Sequence, residues 1–70
     1  MKKIVLSNSA SHGWTVVMQG ISGMPDNTEL PLPFTYTAPL AMVAADMRRR
    51  FNGAVLFYRD RLGHVSHCGV

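Results

Sequence analysis

The stretch Thr37-Ala38-Pro39-Leu40-Ala41-Met42-Val43-Ala44-Ala45-Asp46-Met47-Arg48-Arg49-Arg50-Phe51-Asn52-Gly53-Ala54-Val55-Leu56-Phe57-Tyr58 reads in order as a helix start, an apolar stripe, a basic last turn, a stop and a strand. Thr37 is the expected N-cap, its hydroxyl accepting from a free N–H of the first turn. Pro39 falls in that turn, where a missing N–H costs nothing. Leu40, Val43, Ala44, Met47 and Phe51 recur at spacings of three and four, one face of a 3.6-residue helix. Arg48, Arg49 and Arg50 place positive charge at the negative end of the helix dipole. Asn52-Gly53 ends the helix, because Gly enters the left-handed conformation without steric cost. Ala54–Tyr58 is then a short apolar run of the kind that suits a buried strand. The alanines at 41, 44 and 45 let such a helix approach a sheet closely.

Working outward, Lys2–Ser7 is a strand centred on Ile4, Val5 and Leu6, and Trp14–Met18 is a second, strongly β-favouring one. The polar loop 8–13 joins them as an antiparallel hairpin. Ser22–Asn27 is rich in turn formers around Pro25. In Thr28–Tyr36, Leu30, Leu32, Phe34 and Tyr36 alternate with Pro31, Pro33 and Thr35. Period two with two prolines predicts an edge strand or an extended segment covering the sheet. A proline-rich recognition loop is the rival reading of this piece. Arg59–Gly63 is a turn, and His64–Val70 a last strand pairing back on Ala54–Tyr58. The order ββ(β)αββ predicts a single α+β domain over residues 1–70, an antiparallel sheet of four to five strands with one helix on one face.

With 70 residues the chain has one core at most, and 47% apolar content suffices for it. No apolar run approaches the ~20 residues that span a bilayer, and the segment after Lys2-Lys3 is too short for a signal peptide, so a cytoplasmic location is expected. The one cysteine permits no internal disulfide. Seven Lys/Arg against four Asp/Glu give a net charge of +3 and a pI near 9.6. This permits an acidic partner without specifying nucleic acid. Five of the seven cations lie between Arg48 and Arg61.

Catalytic equipment is sparse. His64, His67 and Cys68 are close in sequence, but on a strand His64 and Cys68 share a face and His67 takes the other, so neither a local zinc set nor a Cys–His pair is expected. No glycine-rich phosphate loop is present, and Asp26 and Glu29 flank a turn as solvated surface. Asp46 is within four residues of Arg49 and Arg50 and reads as their ion-pair partner. No catalytic residue, metal or cofactor is expected, and the chain is read as a non-enzyme. Met47 is expected in the core and Met24 and Met42 exposed, while Trp14, at a strand start beside a polar loop, reads as core or as a binding anchor.

The basic set carries the functional expectation. Arg48–Arg50 fan over about 200° of helix surface, so not all three can be buried. Arg59 and Arg61 bracket the last hairpin. Helix end and hairpin are expected to form one positive face of Arg48, Arg49, Arg50, Arg59 and Arg61, with Tyr58 as an aromatic anchor. Solubility plus the dipole effect is the plain reading of these arginines; a dock for phosphates or an acidic protein surface is the functional one.

Leu40–Tyr58, with Phe51, Gly53, Val55 and the C-terminal hairpin, resembles very small phage-encoded inhibitors of the anti-CRISPR type, some of which share a one-helix-on-sheet plan. The resemblance covers about half the chain and has no diagnostic motif, so no site residues carry over. It implies a stoichiometric inhibitor that masks a surface of a nucleic-acid-handling protein complex. Direct nucleic-acid binding through the same basic face is the alternative. A homodimer or other homo-oligomeric subunit, joined at an open sheet edge, is the third.

Overall fold

The computed structural model describes residues 2–68. Its elements are β1 (Lys3–Ser9), β2 (Gly13–Gln19), β3 (Thr28–Pro31), α1 (Leu40–Arg50), β4 (Val55–Arg59) and β5 (Val65–His67). The α+β class and the single helix on one sheet face are as the sequence predicts. The sheet order is β3-β2-β1-β4-β5. Three pairings are antiparallel, but β1 and β4 are parallel, with Ile4 opposite Leu56 and Leu6 opposite Tyr58. The uniformly antiparallel sheet expected from the sequence is therefore a mixed one. The reason is the helix: it carries the chain back along the sheet, so β4 starts beside the start of β1 and runs the same way. Val55 N–H donates to the Lys2 carbonyl at 2.9 Å at that shared start.

Strand alternation sorts the side chains. Ile4 and Leu6 of β1, Trp14, Val16 and Met18 of β2, and Leu56 of β4 face α1 and form the core with Val43, Ala44, Met47 and Cys68. Leu30, Leu40, Phe51 and Tyr58 pack around them, half-buried. Met24 belongs to this rim rather than to the exposed surface expected of it. The opposite sheet face, uncovered by helix, carries Lys3, Val5, Val17, Phe57 and Arg59. It shields itself in part. The Lys3 ammonium lies 5.1 Å from the Phe57 ring centroid, His67 meets that ring edge-on at 5.3 Å, and Val5 is only 5% exposed.

The helix begins later than Thr37. Pro39 is the N-cap, extended at φ −71° and ψ 147°, and no side chain caps the helix. The Pro39 carbonyl accepts from the N–H groups of Met42 and Val43, while the Thr37 hydroxyl pairs with that of Thr35 at 3.0 Å. Thr37 is thus engaged in a local turn, in which Ala38 N–H donates to the Thr35 carbonyl. At the other end Phe51 is the C-cap and Gly53, at φ 86°, reverses the chain.

The ambiguous segment resolves into two parts. Residues 28–31 pair with β2, and the chain then crosses the end of the sheet. Leu32 N–H donates to the Trp14 carbonyl at 2.9 Å, and Trp14 N–H reaches the Phe34 carbonyl at 3.4 Å. Farther on, Asn8 Nδ2 donates to the Tyr36 carbonyl at 2.9 Å and the Trp14 indole N–H to that of Ala38 at 3.0 Å. These bonds stitch the crossing segment to β1 and β2 and set the point where α1 starts.

Candidate partner-binding groove

The sequence-predicted arginines divide between two ends and two faces of the molecule. Arg48, Arg49 and Arg50 end α1, close to the start of β4, where Lys2 Nζ also reaches the Asn52 carbonyl at 3.5 Å. β4 then runs away from that end for five residues, about 13 Å. Arg59 ends the strand on the uncovered face, opposite Ser7 and Val65, and Arg61 lies in the following turn. Tyr58 points the other way, half-buried, its ring centroid 5.9 Å from that of Trp14. The single positive face expected from the sequence does not assemble. The parallel placement of β4 sends Arg59 and Arg61 to the far end, and alternation turns Tyr58 into the rim of the core.

What the structure does assemble lies on the flank of α1. Phe34, Met42, Ala45, Asp46 and Arg49 line an open groove of about 340 Å³ between the helix and the crossing segment. Met42 is 53% exposed, and Tyr36, on the same crossing segment, is also exposed. Asp46 is the one buried charged residue among those described, with a side chain 8% exposed. Its Oδ1 accepts from Arg49 at 2.5 Å, and its Oδ2 lies 3.0 Å from Arg50 Nε, an ion pair without hydrogen-bond alignment. Helical spacing of three and four produces both contacts, as the sequence predicts. Its effect reaches beyond the helix: the anchored carboxylate holds the Arg49 guanidinium, whose side chain is 78% exposed, at the lip of an apolar groove.

The groove was not legible in the sequence. Phe34 and Met42 belong to separate segments, and only the crossing of residues 32–38 over the sheet end brings them together. His12 and His64 meet polar groups close by in sequence: His12 Nδ1 lies 2.8 Å from the Ser11 hydroxyl and His64 Nδ1 3.6 Å from Asp60. His64 and His67 are exposed, whereas Cys68 is buried in the core, and Asp60 serves the β4–β5 turn by accepting from the N–H groups of Leu62 and His64 at 2.9 Å. Among the described residues no three His, Cys, Asp or Glu side chains come together as a metal set. Among them, too, no helix is long and apolar enough to cross a membrane.

Burial raises the Cys68 thiol above its ordinary value, against a smaller lowering by the Arg48 guanidinium. The fold therefore favours the neutral thiol. This contribution to stability is whole below about pH 9 and is lost as pH rises through the raised native value. Alkylation by iodoacetamide at pH 8 should accordingly be at least about tenfold slower in the native protein than in urea, because only the accessible thiolate reacts. Equal rates would show that Cys68 is not packed as described.

Comparison with family models, with curated proteins and with solved structures returned no significant match.

Proposed function

We propose that this chain is a non-enzymatic binding protein that masks a surface of a partner protein, using the α1 groove as its contact site. The observation that carries the reading is Arg49, exposed yet held by the buried Asp46 beside the apolar wall of Phe34, Met42 and Ala45. A guanidinium already oriented loses less freedom on binding, and an arginine beside a desolvating apolar pocket is a typical interface hot spot. The chemistry fits a protein surface presenting an apolar side chain next to a carboxylate. The apolar group enters the groove and the carboxylate meets the outer edge of Arg49. In this reading the protein acts by occupancy, one copy per site, as the resemblance to phage-type inhibitors implies, and a nucleic-acid-handling complex is the partner to seek first.

The test is capture of partner from host lysate, with the captured species identified by mass spectrometry and its affinity then measured. Arg49→Glu and Met42→Glu are each expected to weaken that affinity about 30-fold or more, the loss typical of a hot spot. Arg59→Glu and Arg61→Glu, remote from the groove, are expected to leave it within about twofold. Equal losses from both pairs would remove the groove reading in favour of a diffuse electrostatic effect. A salt titration separates the nucleic-acid alternative. Phosphate contacts give a steep fall of log affinity with log salt, and tight salt-dependent binding to DNA or RNA alone would replace the protein partner.

A further inference from the structure

The two edges of this sheet are built differently. On the β3 side, Leu32 directs its N–H to β2, so by alternation the ring nitrogens of Pro31 and Pro33 face outward, where an added strand would look for donors. With only Glu29 of β3 keeping an outward donor, that edge is a poor template for another strand. On the β5 side nothing comparable is present among the described residues. Cys68 N–H donates to the Leu56 carbonyl at 2.8 Å, and the His64 carbonyl accepts from Asp60 at 3.0 Å. The even-numbered residues thus turn their main-chain groups toward β4, which leaves those of Val65 and His67 pointing away from the sheet. All three residues of β5 are exposed, and Val65 retains 49% of its surface.

We propose that a second copy of this chain pairs antiparallel along β5, with Ser66 on the two-fold axis, making one continuous sheet from two protomers. The register is self-complementary. Val65 and His67 of one copy exchange N–H···O bonds with His67 and Val65 of the other, so every outward group within Val65–His67 is satisfied. Val65 comes to lie beside the imidazole of the other copy, and no like-charged side chains face across the seam. The donor-poor β3 edge makes the contact isologous, so association stops at two and does not grow into a filament. A three-residue seam buries less than the 1,200–2,000 Å² of a standard stable interface, so the dimer is weak, dissociating at about 0.1–1 mM.

Sedimentation velocity from about 10 μM to about 1 mM should show a monomer–dimer equilibrium with no larger species. Val65→Pro places on this edge the device that Pro31 and Pro33 place on the other. It removes an outward donor from each protomer and none from the β4 ladder, and is expected to weaken dimerisation about tenfold or more with unchanged far-UV circular dichroism. Ser66→Cys tests the register independently of that variant's folding. A non-hydrogen-bonded antiparallel pair sets its Cα atoms about 4.5 Å apart, within disulfide range. Mild oxidation should therefore yield a covalent dimer whose bridge maps to position 66. A monomer at every concentration, larger oligomers, a dimer indifferent to Val65→Pro in the folded variant, or no bridge at position 66 would each overturn the proposal.

Discussion

Trp14→Ala is expected to remove a large part of this chain's stability at 25 °C. Trp14 is 2% exposed, sits among Leu6, Val16 and the helix residues of the core, and lies against Tyr58. Truncating a buried aromatic costs about 3–5 kcal/mol in lost transfer and cavity. A domain of this length has only about 4–10 kcal/mol in total, at 0.05–0.15 kcal/mol per residue. Trp14 is also the hub of the crossing segment. Its indole N–H donates to Ala38, one residue before the helix cap, and its main chain bonds Leu32 and Phe34. Removing the indole releases the segment that aims α1. Trp14→Phe separates the two roles in large part, since it keeps a buried ring and most of the apolar volume while deleting the indole donor. It should remain folded and lose about 1–3 kcal/mol, as expected when a buried carbonyl forfeits its donor. Urea titration followed by circular dichroism reads both. A Trp14→Ala protein with an unshifted urea midpoint would show that the indole is not the hub described.

Gly13→Ala is the second large effect. Gly13 has φ +71°, and a Cβ built there meets the Phe34 carbonyl oxygen at 2.9 Å. The left-handed conformation alone costs a non-glycine residue roughly 1–2 kcal/mol. The clash adds to it, because the atom to be displaced is backbone, and the same carbonyl accepts the Trp14 N–H. We expect a loss of about 2–4 kcal/mol in all, in the range of overpacking combined with strain. Gly53→Ala is the internal comparison. Gly53 has φ +86° but nothing within 4 Å of its built Cβ, so only the conformational part applies. Equal shifts in urea midpoint for the two variants would mean that the crossing segment does not press on β2.

Both variants probe contacts between residues some twenty positions apart, and this distance separates what the chain encodes locally from what it does not. The helix and its buried stripe were legible because Val43, Ala44 and Met47 recur at the helical period, and the Asp46 pairs because they lie within one turn. The β1–β2 hairpin and the return of β5 onto β4 were legible for the same reason: short glycine-bearing connections leave antiparallel pairing the simplest option. The prolines at 31 and 33 announced an edge. All these signals act over a few residues, where propensity, periodicity and turn chemistry operate directly on the chain.

The parallel meeting of β1 with β4 has no such signature. It brings together segments some fifty residues apart, and only burial of α1 against the sheet chooses it. That choice sent Arg59 and Arg61 to the far end of the molecule, carried Lys2 to the helix terminus, and turned Tyr58 toward Trp14. The crossing of residues 32–38 over the sheet end, equally unmarked in the sequence, laid Phe34 beside Met42, so that an ion pair readable from its spacing became the wall of a groove. Local sequence specifies which face of an element is apolar. Which faces meet, and therefore which polar groups become neighbours, is settled by the packing of the whole chain around one core.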